Sequence, residues 1–477
     1  MKKSNFSKVI SCSIIALFAI FAIGSCKKSE EKQAESQQEI LSPKKNTAKV
    51  LTKGDVGSHD PSGLVFDGAK FYQFTTGDGI YSASSPDLIA WKAEPNPVFP
   101  IGTWPAWINT AVPGFAGTFW APDVINLNGK WYIYYSCSTF GSSKSAIGVA
   151  TSNSLQGPWT DLGMVVSSSS SSNVNAIDPG LFKDTDGRVY MTYGSFSAGI
   201  GNIEIDPATA KVKAGATLAK VAGGGGADWE APYLIKEGSY YYLFANRGFC
   251  CRGVNSTYYI QVGRSTSPLG PFSGWRTVLG SSGKYIGPGH VGLIRYNGAN
   301  FTSIHYYDGT DNGNAKLDIV NMGFSGGWPF LTRDWVASGT YKISNVNSDK
   351  VWDAWGCTGA AGQAISQNTY SGVNCQKWSF TPTGDGSYKV ASLQGGRNAD
   401  LINCGTGNGT KLQLWDWLNN DCQKFRIDRT ASGSHVFTPL NSAKVLEIPG
   451  ASITNGVQLS LWDYNGGNNQ KWTITAP

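Results

Sequence analysis

Apolar and aromatic residues recur in this chain as runs of five or six rather than at helical spacing, and turns containing Gly separate them. Lys70–Phe74 (KFYQF), Lys130–Tyr135 (KWYIYY), Arg188–Tyr193 (RVYMTY), Ser239–Phe244 (SYYYLF) and Phe301–His305 are of this kind. Each predicts a short β-strand. A brief polar motif precedes every run: His59-Asp60-Pro61, Ala121-Pro122-Asp123, Asp178-Pro179-Gly180, Glu230-Ala231-Pro232 and Gly289-His290-Val291. Five such starts, 52 to 63 residues apart, predict five four-stranded blades around one axis, a β-propeller over 53–335. The first strand of each blade lines the central cavity, so the motifs converge at one mouth and bring Asp60, Asp178 and Glu230 into one site.

Beyond residue 338 the pattern changes to a threefold repeat. Gln376-Lys377-Trp378, Gln423-Lys424-Phe425 and Gln470-Lys471-Trp472 recur every 47 residues, as do Asp353, Asp400 and Glu447, and Trp415 with Trp462. Cys357 and Cys375, then Cys404 and Cys422, form two pairs, each 18 positions apart and offset by the same 47. That regularity predicts two local disulfides, 357–375 and 404–422, in an oxidising compartment. Three copies of this motif, rich in Gly and short strands, resemble the ricin B-type β-trefoil, carbohydrate-binding module family 13. The expected fold class is therefore all-β: a five-bladed propeller followed by a trefoil over 338–477. The resemblance implies that QxW residues pack the lobes. It further implies that an acid, an amide and an aromatic ring of one lobe hold a sugar. The middle lobe offers Asp400, Gln413 and Trp415, and the third Glu447, Trp462 and Asn469. In the first lobe Asn368 stands where the aromatic should fall, which argues against binding there.

At the other end, Lys2, Lys3 and Lys8 precede an apolar stretch from Val9 to Ile23. It is too short to span a bilayer and is shaped like a signal peptide. The stretch ends in Ile23-Gly24-Ser25-Cys26, which resembles the bacterial lipoprotein processing box, with Cys26 as the lipidated residue after a signal over 1–25. Residues 26–52 hold little that is apolar and read as a flexible tether. The expected location is outside the cytoplasm, lipid-anchored to a bacterial membrane at the cell surface or in the periplasm.

Charge alters the picture little. The net charge is +6, but residues 1–49 hold nine Lys and four Glu, leaving 30 basic and 29 acidic side chains for the rest. No basic patch for nucleic acid follows from that balance. Charged residues make up 15% of the chain, while 17 Trp, 21 Tyr and 21 Phe supply flat apolar faces. That composition favours a sugar ligand.

Glycosidic cleavage needs an acid on the leaving oxygen and a carboxylate acting on the other face, and a third carboxylate nearby raises the acid's pKa. Here the chain resembles glycoside hydrolase family 43 and its endo-α-1,5-L-arabinanases, through His59-Asp60-Pro61-Ser62, Trp120-Ala121-Pro122-Asp123, Ala176-Ile177-Asp178-Pro179, Trp229-Glu230-Ala231-Pro232, Gly289-His290 and Cys250 to Tyr258. The resemblance implies that Asp60 is the general base, Glu230 the general acid and Asp178 the residue that tunes it. It also implies that His290 helps hold a central cation such as calcium, mostly through waters, and that the chemistry itself uses no cofactor. Trp104, Trp120, Phe140, Asn175, Ser195 and Phe196 are expected to meet substrate, and the Ser-rich loop 167–172 reads as a surface loop. Related arabinanases often carry a bulky aromatic where Ser197 stands, which bears on product length. Cys250 and Cys251 form a vicinal disulfide or remain thiols. The expected partners are arabinan and its oligosaccharides, with the protein a monomer. The alternatives are an exo-acting arabinofuranosidase or β-xylosidase on the same propeller, or a polysaccharide-binding lipoprotein without activity.

Overall fold

The computed structural model describes residues 56–196 and 199–477 together with the strand Leu51–Thr52. The expected signal peptide, Cys26 and nearly all of the tether lie outside the described residues, as does Ser197.

Five antiparallel sheets follow one another along the chain. Blade I contains Val65–Phe66, Phe71–Thr75, Tyr81–Ser85 and Ala90–Ala93, and Leu51–Thr52 adds to its outer edge. Blade II contains Thr118–Leu127, Lys130–Cys137, Ala146–Ser152 and Thr160–Ser167. Blade III runs Gly180–Lys183, Val189–Tyr193 and Ile200–Asp206, with Lys211–Val212 and Ala219–Ala222 sharing the outermost place. Blade IV contains Glu230–Glu237, Tyr240–Arg247, Tyr259–Ser265 and Ser273–Leu279, and blade V Tyr285–Tyr296, Ala299–Asp308, Asn314–Ser325 and Trp328–Thr332. The aromatic runs of the sequence are thus second strands, each turned back from a first strand that carries the motif. Asn128-Gly129 and Asn297-Gly298 make two of these turns with positive φ at both residues, the geometry whose twist matches a hairpin. The ring closes where Val56 accepts from the amide of Leu317 at 2.8 Å and Ser58 donates to Ala315 at 3.1 Å, joining the start of blade I to blade V.

Asp123 ties the inner strands together. Its carboxylate accepts from the amide of Gly63 in blade I at 3.0 Å and of Leu181 in blade III at 2.7 Å. It is a bridge between blades rather than a member of the axial cluster described below.

From Gly339–Asn345 to Trp472–Thr475 the chain forms a ten-stranded sheet and a two-stranded one around a single core. Trp378, Phe425 and Trp472 of the repeated motif are fully buried there with Trp352 and Phe437. The disulfides Cys357–Cys375 and Cys404–Cys422 are formed. This trefoil docks on blades I and V: Tyr464 donates to Asp87 at 2.5 Å, Ala431 N–H to Asp87 O at 3.0 Å, and Asn297 Nδ2 to Ala431 O at 2.8 Å.

Replacing Asp123 by Ala leaves two buried amides without acceptors, so Asp123→Ala is expected to destabilise the propeller by about 2–4 kcal/mol. An earlier urea midpoint measures this, and Asp123→Asn, which keeps one acceptor, should lose less.

Candidate active site

All five inner strands carry the same backbone feature within them or shortly before them. Asp60, Ala121, Asp178, Ala231 and His290, none of them Gly, have φ of 49°, 43°, 57°, 51° and 60°. Each left-handed residue costs about 1–2 kcal/mol. Register shifts accompany them at Trp120/Asp123, Glu230/Tyr233 and Gly289/Gly292, the signature of bulges that re-aim side chains. The motifs were legible in the sequence, but this shared conformation was not.

Asp60 sits in a cradle of hydrogen bonds. Its Oδ2 accepts from His59 Nδ1 at 2.8 Å and from the Thr76 hydroxyl at 2.9 Å, while Oδ1 faces His290 Nδ1 at 3.5 Å and His305 Nδ1 at 3.6 Å. The far nitrogen of His59 lies 2.8 Å from the Tyr307 hydroxyl, which in turn accepts from the amide of Cys251 at 2.8 Å. His59 thus bridges Asp60 through Nδ1 and Tyr307 through Nε2. Cys251 is joined to Cys250 in a vicinal disulfide. Residues His59, Tyr307, His305 and Thr76 thus position Asp60; sequence reading assigned roles to none of them, although His59 lay in the quoted motif. Burial pushes the Asp60 carboxyl up, but the charge of His59 and the hydrogen bonds from His290 and His59 outweigh it. The carboxyl is held well below its usual range.

Glu230 lies in the opposite electrostatic condition. Its Oε2 accepts from Ser195 at 2.9 Å, while Oε1 is buried and has no hydrogen-bond partner among the described residues. Burial first, then repulsion from Asp178, raise its pKa well above 4.5, and the Ser195 bond offsets this only in part. Asp178 stands between the two. Its amide donates to Ser136 Oγ at 3.0 Å, and its Oδ2 accepts from the amide of Ala231, the residue after Glu230, at 3.1 Å. Burial, opposed by His290 and reinforced by Asp60, lifts it to about 6. Three carboxylates remote along the chain are therefore electrostatically coupled, with one held ionised and one held protonated.

His59, Asp60 and His305 bring three donor atoms within 4.8 Å of one another. Their chemistry suits a hard cation poorly. Asp60 Oδ2 and both His59 nitrogens are engaged, and His305 Nδ1 accepts from the Asp60 amide at 3.1 Å, which puts its proton on a buried Nε2 without a partner among the described residues. His290 is different: Nδ1 faces Asp60, leaving Nε2 as the nitrogen available to a further ligand.

The other expected contacts divide. Ser195 touches Glu230, and Trp120 lies opposite Ser136, whose hydroxyl accepts from the Asp178 amide. Asn175 lies three residues before Asp178, and its Oδ1 accepts from Ser168 at 3.0 Å. Ser168 is buried, and this bond anchors a loop whose tip is exposed. Phe140 is 60% exposed. Trp104 lines a separate open pocket of about 560 Å³ with Trp107, Trp159 and Asp161, to which none of the three carboxylates contributes.

In the trefoil the register shows which lobes bring the expected acid and ring onto one face. Asp400 lies opposite Gln413, and Trp415, two residues on, shares that face. Glu447 lies opposite Ser460, with Trp462 two residues on. Trp415 and Trp462 are 38% and 42% exposed. Gln413 Nε2 holds one Asp400 oxygen at 2.8 Å, and Asn469 and Gln470 hold one Glu447 oxygen at 3.2 and 3.3 Å. In the first lobe Asn368 and Gln376 both occupy Asp353 Oδ2, at 3.1 and 2.8 Å.

The family model of glycosyl hydrolases family 43 matches residues 54–329, more than half of the chain. The chain belongs to this family. A ricin-type β-trefoil lectin domain-like model matches residues 327–415 and 421–477 of this family 43 glycosidase. Among curated relatives, the extracellular endo-alpha-(1->5)-L-arabinanase 1 of Bacillus subtilis is 39% identical over 57% of this chain and 86% of its own length. The extracellular exo-alpha-(1->5)-L-arabinofuranosidase ArbA of Cellvibrio japonicus is 35% identical over 57% and 86%. Among solved structures, the family 43 endo-arabinanase of Bacillus licheniformis is 37% identical, with a TM-score of 0.54 over 59% of this chain and 99% of that one.

The raised pKa of Glu230 makes a stability prediction. Below the unfolded value near 4.5 both states hold the proton and the burial is neutral; above the folded value the buried carboxylate is charged and destabilises the fold. Glu230→Gln is therefore expected to raise the melting temperature at about pH 8, with the gain vanishing near about pH 4. Thermal unfolding of both proteins across that range measures it.

Proposed function

We propose that this family 43 glycosidase is an exported inverting enzyme that cleaves internal α-1,5 bonds of arabinan. The observation that carries the reading is the gathering of Asp60, Asp178 and Glu230 in one cluster in which Asp60 is bonded by His59 and Thr76 and its pKa pushed down, while Glu230 is buried beside Asp178 and its pKa pushed up. Asp60, ionised and fixed on Oδ2 by His59 and Thr76, takes a proton from water as the water oxygen bonds to the anomeric carbon. The bond to the leaving sugar breaks with its electron pair on oxygen, which receives the proton of Glu230 Oε1. An inverting pair needs room for that water, about 6.5–9.5 Å between carboxyls. Asp178 acts through Glu230: its charge keeps the acid protonated, and its bond to Ala231 N–H fixes the adjoining backbone.

The relatives named above support arabinan as substrate, and internal cleavage agrees with the Bacillus enzymes rather than with ArbA. The Bacillus subtilis and Cellvibrio japonicus relatives are named extracellular, which supports export, and the run Gly24-Ser25-Cys26 supports Cys26 as a lipid anchor. A central cation, where bound, would be held by His290 Nε2 with water as its other ligands, and would supply positive charge that favours ionised Asp60. The trefoil keeps the enzyme on polysaccharide, since tethering makes the second contact intramolecular.

Incubation with linear arabinan, followed by NMR and chain-length analysis, tests the reading. A ladder of oligosaccharides with the β-anomer appearing first is expected, while arabinose alone would mean exo action and an α-anomer retention. Glu230→Gln should lower turnover by about 10²–10⁴-fold. Trp415→Ala and Trp462→Ala should each weaken retention on insoluble arabinan in a pull-down, and the double variant should lose most of it.

A further inference from the structure

The loop that follows the second strand of blade IV carries an aromatic ring that neither the motif nor the carboxylate cluster accounts for. Phe249 is 43% exposed, yet it is held firmly. Its amide donates to Thr257 Oγ1 at 3.0 Å and its carbonyl accepts from Thr257 N–H at 2.9 Å. Two residues later, Cys251 anchors the loop to Tyr307. The ring meets Phe196 of blade III, centroids 5.7 Å apart and planes tilted by 31°. The Arg252 guanidinium lies 4.5 Å from the Phe249 centroid and is in no ion pair among the described residues, so its donors are free for hydroxyl groups.

Both rings are wired to the acid. Phe196 follows Ser195, whose hydroxyl bonds Glu230, and its own amide donates to the carbonyl of Trp229 at 2.6 Å. Phe249 follows Gly248, whose amide donates to Asp228 at 2.5 Å, two residues before Glu230. In an inverting cleavage the acid meets the departing sugar and the base meets the water on the opposite face. Flat apolar surface beside the acid therefore meets the leaving part of the chain.

We propose that Phe249, backed by Phe196 and flanked by Arg252, is the binding platform for the leaving-group sugar. The ring stacks on the apolar face of a neutral pentose and Arg252 donates to its hydroxyls. This rests on the glycosidase reading above and assigns it a specificity residue. A fluoride leaving group has no ring to stack and needs no proton from Glu230, so it separates the platform from the chemistry.

The test compares kcat/KM of the full chain on arabino-oligosaccharides and on arabinobiosyl fluoride. Phe249→Ala is expected to lose about tenfold on the oligosaccharides and at least five times less on the fluoride. Phe249→Leu, which keeps apolar bulk without a flat face, should follow Ala, and Phe249→Trp should retain activity on both. Equal losses on the two substrates, or no loss on either, would overturn the platform. A wild-type protein that cleaves neither substrate would overturn the glycosidase reading instead.

Discussion

The constraint on which the site depends is the left-handed residue in or just before every inner strand. A regular strand alternates its side chains between the two faces of its sheet, and would send the motif residues into the interfaces between blades. The positive φ of Asp60, Asp178 and His290 turns their chains toward the axis, and that of Ala231 does the same for the neighbouring Glu230. Five such residues in a row are strained together, and the bonds around them show what holds them. Asp60 N–H is bonded to His305, Asp178 N–H to Ser136, Ala231 N–H to Asp178 and His290 N–H to Asn246. Four of the five strained peptides are thus fixed by a buried partner and the fifth, Ala121 N–H, by the Thr76 hydroxyl, so strain at the axis is balanced by hydrogen bonds between blades.

Those same bonds grade the electrostatics. Imidazoles crowd around Asp60 and keep it charged, whereas Glu230 is surrounded by carboxylates and apolar burial and keeps its proton. Asp178 is bonded to the peptide next to Glu230 and repels its charge. One residue therefore transmits position through a hydrogen bond and acidity through space. His305, held neutral by burial and by the charge of His59, accepts the Asp60 amide without adding a competing positive charge. The chain from Cys251 through Tyr307 and His59 to Asp60 extends this order outward to the loop that carries Phe249.

The trefoil repeats the theme of one scaffold with selective loss. Its core treats three lobes alike, burying Trp378, Phe425 and Trp472 in equivalent places. Its surface does not. Two lobes hold their carboxylate with an internal amide and carry an exposed Trp on the strand paired with it, while the first ties Asp353 to Asn368 and has no ring at that place. Docking through Tyr464 and Ala431 onto Asp87 binds this module to the outer side of blades I and V.

The sequence by itself determined the elements and their count. Runs such as KWYIYY are strands because β-branched and aromatic residues fit a pleated, half-buried surface, and the three copies at 47-residue spacing, through their resemblance to the ricin B-type module, implied the trefoil. It also marked Asp60, Asp178 and Glu230, since motif spacing equals blade spacing, and it paired the four trefoil cysteines. Only the tertiary structure decided the protonation states, because these depend on burial and on charges brought near by the ring, not on chain distance. It alone joined Cys250 to Cys251, set Asp123 to bridging blades, and placed Trp104 in a pocket of its own. Tyr307 and His305 carried no local signal, since a buried polar side chain in a second strand acquires its task only from what closure of the propeller sets beside it.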